Sequence, residues 1–121
     1  MVKNARISIV DDDESVRSSI RNYFLAAGLE VETFSSAENF LASSSRTSTD
    51  CLVTDLHMPG IDGLELQREL RAEGQSYPII MMTGYPSEQA RAAARELGAA
   101  AFMEKPVDPD DLLEQIESVL A

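Results

Sequence analysis

Three things are scarce in this 121-residue chain: cysteine, basic side chains and long apolar runs. Cys51 is the only cysteine, so no internal disulfide can form, which fits a reducing compartment. It opens an apolar run and reads as a small buried hydrophobe rather than a reactive thiol. Lysine and arginine number 10 against 21 aspartates and glutamates, for a formal net charge of -11. Such a surface repels nucleic acid, so no direct DNA contact by this domain is expected; it favours cations or a basic patch on a partner. No apolar run approaches the roughly 20 residues of a membrane span. Met1 to Arg6 adds no signal-like apolar segment beyond the strand-length Ile7 to Val10. The expectation is one cytoplasmic domain over residues 1–121, without membrane contact and large enough for its own core.

What is present is an alternation. Ile7 to Val10 is short, β-branched and stopped by Asp11-Asp12-Asp13, so it reads as a strand. A helix follows from about Glu14 to Ala27, with Val16, Ile20, Phe24 and Ala27, and Tyr23 beside them, on one face. Asp13 reads as its N-cap and Gly28 as its C′ residue. Leu29 to Phe34 is a second strand, and Ser36 caps a short helix from Ala37 to about Ala42. Ser43 to Asp50 is a polar connector, expected to be the least structured part of the chain and a solvated loop. Cys51 to Thr54 is a third strand ending on Asp55. A helix from Gly63 to Ala72 turns Leu66 and Leu70 inward, and Gly74 closes it.

Pro78 to Met82 is apolar throughout, as a strand buried on both faces of a parallel sheet should be. It ends on Thr83-Gly84. Ser87 caps a helix to Leu97, followed by Gly98. Its inward face, Ala90, Ala93, Ala94 and Leu97, is thin, so this helix should be weakly held. Ala99 to Met103 is the fifth strand, ending at Glu104-Lys105-Pro106. The last helix has Asp108 as N-cap, Pro109 at its first position and a stripe of Leu112, Ile116, Val119 and Leu120. Five rounds of strand then helix imply an α/β fold with right-handed crossovers and a parallel sheet covered on both sides. In such open sheets the carboxyl ends of the strands carry the site.

The strands deliver a specific set to that edge. The first brings Asp11 and Asp12, the third Asp55, the fourth Thr83 and the fifth Lys105. Each residue alone has a duller explanation as a cap, a turn residue or a surface lysine; the joint occurrence is what matters. Three crowded carboxylates cannot all ionise without compensation. A hard divalent cation resolves this, magnesium being suited to a few carboxylate oxygens plus water. With a cation and the Lys105 ammonium in place, the site can receive phosphoryl oxygens, and Asp55 can serve as the nucleophile of phosphoryl transfer.

At this point the sequence resembles the receiver domains of two-component response regulators, the CheY-like domains, over essentially the whole chain. The resemblance rests on Ile9-Val10-Asp11-Asp12-Asp13, on Thr54-Asp55-Leu56-His57-Met58-Pro59-Gly60-Ile61-Asp62-Gly63, on Met82-Thr83-Gly84 and on Phe102-Met103-Glu104-Lys105-Pro106. It implies a flavodoxin-like (βα)5 fold, a doubly wound parallel sheet with strand order 2-1-3-4-5. It implies Asp55 as phosphoacceptor from a histidine kinase, and not an enzyme with a separate substrate. Asp12 and Asp55, with the backbone carbonyl of His57, would ligate magnesium (or manganese), and Asp11 would hold the metal through water. Lys105 would contact the phosphoryl oxygens. Thr83 and Phe102 would form the switch, changing the face of the fourth helix, fifth strand and last helix.

His57 and Tyr85 lie two residues after Asp55 and Thr83. Both should border the phosphoryl group, where they would shield it from water and lengthen its lifetime. His57 as a direct imidazole ligand is disfavoured, because magnesium prefers oxygen. The Ser36-Ala37-Glu38-Asn39-Phe40-Leu41 stretch and the segment around Asp55 look most like nitrogen-fixation-type (FixJ/LuxR-type) regulators, which carry a separate helix-turn-helix DNA-binding domain. That likeness would fit transcriptional output and a homodimer formed on phosphorylation through the fourth-helix and fifth-strand face.

Three rivals stay open at this level. A magnesium-dependent aspartyl-phosphate phosphohydrolase commonly carries a second acid two residues after its nucleophile, where this chain has His57. A flavodoxin-like electron carrier wants a serine- and threonine-rich phosphate loop where Asp11-Asp12-Asp13 stand. A receiver-like domain acting without phosphorylation is opposed by the complete set of site residues.

Overall fold

The structure, a computed structural model, describes residues 4–120. Five parallel strands are β1 (Arg6–Val10), β2 (Glu30–Phe34), β3 (Cys51–Asp55), β4 (Ile79–Thr83) and β5 (Ala101–Glu104). The helices are α1 (Glu14–Ala26), α2 (Ala37–Leu41), α3 (Gly63–Ala72), α4 (Glu88–Glu96) and α5 (Pro109–Leu120). The sheet order is β2-β1-β3-β4-β5, so strand order reverses between β1 and β3. This is the flavodoxin-like (βα)5 arrangement, with its expected site at that reversal.

Alternate side chains of each strand feed two cores. Ile7, Ile9, Val53, Ile80 and Met82 pack against Ile20 and Phe24 of α1 and Leu112 and Ile116 of α5. Val10, Leu52, Ile79 and Met81 pack on the other face against Phe40, Leu66 and Leu70 of α2 and α3. Every residue of β3 and β4 is buried. Cys51 is among them, and burial pushes its thiol up to about 12, so it stays a protonated, inert hydrophobe.

Several element boundaries differ from those expected, and the cause is shared. Leu29 and Ala99 were assigned to strands by pattern, but their amides close the preceding helices. Leu29 N donates to Phe24 O at 3.1 Å and Ala99 N to Ala94 O at 2.9 Å, each across a left-handed glycine, Gly28 (φ 90°) or Gly98 (φ 90°). These are Schellman closures, which consume an amide otherwise free for the sheet. β2 therefore begins at Glu30 and β5 at Ala101. Ala27, Ala42 and Leu97 are C-caps rather than last helical residues.

The larger correction concerns Ser43 to Asp50. It is not a solvated loop. Ser44–Thr47 forms a turn of 3-10 helix, and Ser45 and Thr49 are buried. Ser45 Oγ donates to Glu32 of β2, and Thr49 Oγ1 donates to Arg6 O at 3.2 Å. Serine and threonine stay buried here because each finds a partner across the sheet edge.

The capping expectations stand. Asp13, Ser36 and Ser87 accept N–H groups of the first turns of α1, α2 and α4. Asp108 Oδ1 accepts from Asp110 N at 2.8 Å at the head of α5. The Lys105–Pro106 bond is cis. Asp62, not picked out by pattern, closes a capping box with Glu65 at the start of α3. α4 is thinly held: among its residues only Ala94 is buried, with Ala90 and Ala93 half-buried. Among the described residues, no helix is long and apolar enough to cross a membrane.

Candidate functional site

Each strand end carries its side chain because the ladder continues one residue past the strand. Asp11 N donates to Phe34 O at 3.1 Å, Leu56 N to Met82 O at 2.7 Å, and Lys105 N to Thr83 O at 2.8 Å. These bonds hold Asp11, Asp55 and Lys105 at one end of the sheet. Gly63 keeps that end compact. A methyl group there would sit 2.6 Å from Asp55 O and 2.9 Å from Leu56 Cα, both backbone atoms. The glycine that opens α3 thus lets the helix abut the strand that delivers Asp55.

The site brings together five of the expected residues. Ligand oxygens of Asp11, Asp12 and Asp55 lie within 4.8 Å of one another. Lys105 Nζ sits between two of them, 2.8 Å from Asp11 Oδ2 and 3.3 Å from Asp55 Oδ2. Thr83 is fully buried at the adjacent strand end, and its Oγ1 accepts the Tyr85 N–H at 3.0 Å. Asp11 is fully buried and Asp55 nearly so, whereas Asp12 is exposed.

The electrostatics are those of an under-compensated pocket. Burial raises the Asp55 carboxyl above the ordinary carboxylate range, Asp11 raises it further, and Lys105 only partly offsets both. Burial alone would lower the Lys105 ammonium, but Asp11 and Asp55 outweigh it and hold the group charged. Asp11 Oδ1 accepts the Asp13 N–H at 2.9 Å. Asp11 Oδ2 makes no well-aligned hydrogen bond, and its compensation is the ammonium alone. Among the described residues, Lys105 is the one cation in ion-pair range of any of these three carboxylates. An orphaned buried oxygen beside two more acids fits a divalent ion, and Asp11, Asp12 and Asp55 are the oxygen donors able to hold one.

His57 is exposed, and its ring lies 5.6 Å from that of Tyr85, edge to face. Tyr85 is 78% exposed, so the two rings stand at the rim rather than inside the site. Phe102 is half-buried on β5, with the Arg91 guanidinium 4.8 Å from its ring centroid. An open cleft of about 460 Å3 runs beside Lys105 between α1 and the β5–α5 loop, lined by Val16, Ile20, Met82 and Val107 among others.

Three contributors escaped the sequence reading. Arg17 Nη1 donates to the Asp11 carbonyl at 2.7 Å, tying α1 to the strand end. Glu38 Oε2 accepts the Ile61 N–H at 3.3 Å and braces the turn after β3 from α2. Gln67, fully buried, donates from Nε2 to Ala94 O at 3.3 Å and joins α3 to α4. Arg17, one turn into α1 and still on the side of the acidic loop, had a weak signal; the other two had none.

Comparison with known proteins gives a consistent result. The family described as "Response regulator receiver domain" matches residues 7–117. The transcriptional regulatory protein FixJ of Bradyrhizobium diazoefficiens is 37% identical over 120 residues, covering 99% of this chain and 58% of that protein. The response regulator protein TodT of Pseudomonas putida is 37% identical over 114 residues, covering 94% of this chain and 50% of that protein. The chain thus spans about half the length of these relatives. Among solved structures, the chemotaxis protein CheY4 of Vibrio cholerae superposes with a TM-score of 0.89 at 30% identity, covering 97% of this chain and 99% of that one. The crystal structure titled FixJ-N gives 0.87 at 35% identity, covering 98% and 95%.

Proposed function

The chain belongs to the response regulator receiver domains, and from that premise we propose that Asp55 is the residue phosphorylated, by a histidine kinase, to switch a downstream output. The observation that carries this reading is the Lys105 ammonium between Asp11 and Asp55, 2.8 and 3.3 Å away, with Asp12 completing the carboxylate set. A bound magnesium or manganese ion would supply charge neutralisation for the incoming phosphoryl oxygens. In this reading Asp12, Asp55 and the His57 carbonyl would ligate the ion directly and Asp11 would hold it through water.

The chemistry of this chain's own residues is simple. A carboxylate oxygen of Asp55 attacks the donor phosphorus. The new bond is an acyl phosphate, and the bond broken is phosphorus to the donor's leaving atom, the imidazole nitrogen of phosphohistidine or the acetate oxygen of acetyl phosphate. Lys105 holds a phosphoryl oxygen by a charge-assisted hydrogen bond. Thr83 then gives up the Tyr85 amide and turns its hydroxyl to the phosphoryl group, whose oxygens are stronger partners. The space it leaves admits Phe102, and α4 shifts with the loop that precedes it. Labelling of the chain by acetyl phosphate in magnesium tests this reading; a wild-type chain that takes up no phosphoryl group overturns it.

Lifetime of the phosphorylated state is assigned to the rim. His57 and Tyr85 pack edge to face, and the pair would hinder water on its way to Asp55. His57→Ala and Tyr85→Ala should each speed loss of the phosphoryl group by about 3- to 10-fold, which corresponds to about 0.6–1.4 kcal/mol of barrier. Unchanged dephosphorylation rates would sink this assignment.

The output proposed is transcription, through a separate DNA-binding domain like those of nitrogen-fixation regulators, with the α4–β5 face pairing two chains on phosphorylation. Size-exclusion chromatography of the isolated chain with a beryllofluoride phosphoryl mimic should move the peak from monomer to dimer. A peak that does not move removes the dimer from the proposal.

A further inference from the structure

α4 is held by contacts of different kinds, one helical turn apart. Toward its C-terminal end, Ala94 is its one buried residue, and its carbonyl accepts from Gln67 Nε2 of α3 at 3.3 Å and from Ala99 N at 2.9 Å. The first bond ties that end to α3 and the second closes the helix on itself, which makes that end a fixed mount. Toward its N-terminal end, the helix has no fully buried side chain, and Ala90 packs half-buried against the core. The long side chain that crosses to the sheet there is Arg91, its guanidinium over the Phe102 ring, 4.8 Å from the centroid. A cavity of about 190 Å3, lined by Arg91, Ala94, Arg95 and Phe102 with Ala99 to Ala101, separates helix from strand. Among the described residues no carboxylate lines it, so none of them draws either arginine off inside the cavity.

We infer that Arg91 is a latch on the switch: its guanidinium over Phe102 holds that ring outward and the first half of α4 in place, while Gln67 and Ala94 form the pivot about which the helix swings. Arg91 is a positioning residue; it touches neither Asp55 nor the oxygens around it. A cation over an aromatic face is a weak, directional contact. It breaks when the ring turns inward, so it biases the resting state without locking it. The latch also gives α4 a reason to move when Phe102 moves: the same guanidinium belongs to both elements. Linkage then requires that whatever loosens the latch favours phosphorylation, and that phosphorylation frees Arg91 for other partners. This inference rests on the Thr83–Phe102 switch for its function, but the contact itself exists before any phosphoryl group arrives.

The test separates the two. In the unphosphorylated chain, amide hydrogen exchange by mass spectrometry reads the latch directly. Arg91→Ala should raise exchange about 2- to 5-fold in the first half of α4, the factor that a cation over a partly solvated aromatic ring supplies. The segment from Ala94 to Leu97 should not change, and Arg91→Lys should fall between wild type and Arg91→Ala. In a Phe102→Leu background, Arg91→Ala should add nothing, because the ring is already gone. With acetyl phosphate and magnesium, Arg91→Ala should label about 2- to 5-fold faster than wild type. Unchanged exchange in Arg91→Ala, or an effect that persists without the Phe102 ring, overturns the latch. Wild-type chain that takes up no phosphoryl group overturns the switch reading instead, and the exchange result still decides the latch. Faster exchange throughout the molecule would mark Arg91→Ala as a general destabilisation and overturn the inference as well.

Discussion

Incubated with acetyl phosphate and magnesium, the wild-type chain acquires one phosphoryl group, and Asp55→Asn acquires none above a background at least about 10³-fold lower. The substitution keeps the size of the side chain and removes only the anionic nucleophile. Its second effect makes the result interpretable. Asp55 is 5% exposed and its carboxyl is raised, first by burial and then by Asp11. Replacing it with a neutral amide relieves that burden, so without metal the variant should be more stable than wild type, by about 1–2 kcal/mol. The sign follows from proton linkage. A carboxyl raised in the fold binds its proton more tightly there than in the unfolded chain. Its stabilising contribution is full below the ordinary carboxylate range and is lost as pH rises through the raised value. The advantage of Asp55→Asn should therefore be smallest in acid and largest at neutral pH. Thermal melts at pH 4 and pH 7 without metal measure it. An unlabelled variant that is also more stable has lost a nucleophile and not a fold. Labelling that survives in Asp55→Asn would falsify the assignment of the phosphoacceptor.

The parts of the fold that were legible in sequence are those set by local chemistry. Apolar strands that stop on acids, caps such as Asp13 and Ser87, and glycines after helices are short-range signals. They were enough to bring Asp11, Asp55, Thr83 and Lys105 to one sheet end, because a parallel sheet orients every strand alike. What local pattern missed depends on partners far along the chain. Ser45 is polar and sits in a polar run, and only Glu32, 13 residues earlier, explains its burial. Gln67 lies beside Leu66 on α3 and looks like an edge-of-face residue; its partner is Ala94, 27 residues away. Leu29 and Ala99 have strand-like side chains, but their amides are taken by helix closures that a hydropathy pattern does not register. The Arg91–Phe102 contact joins two elements whose spacing comes from the sheet, so neither residue marks the other in sequence.

Lys105→Met should be the most destabilising single change at the site when no metal is present. Lys105 is 21% exposed in its side chain, and among the described residues its ammonium is the one cation on Asp11 Oδ2, an oxygen with no aligned hydrogen bond. Methionine keeps most of the aliphatic stem and removes the charge. Taking one partner from a buried pair costs about 3–5 kcal/mol; partial exposure and the option of protonating Asp55 reduce this to about 2–3 kcal/mol. The loss should shrink as pH falls. Asp55 is raised by burial and by Asp11 and lowered by Lys105, so without the ammonium it holds its proton more tightly still in the fold; stability returns below the raised value and falls as pH rises through it. Magnesium should reverse the defect by the same electrostatics, since binding to the folded state alone adds stability in proportion to the logarithm of its concentration. The variant's melting temperature should thus rise more steeply with magnesium than that of wild type. Labelling by acetyl phosphate should remain slow even at saturating magnesium, because the ammonium that holds a phosphoryl oxygen is gone. A Lys105→Met chain as stable as wild type at pH 8 without metal would mean that the carboxylates find their compensation elsewhere, and the electrostatic account of the site would have to be abandoned.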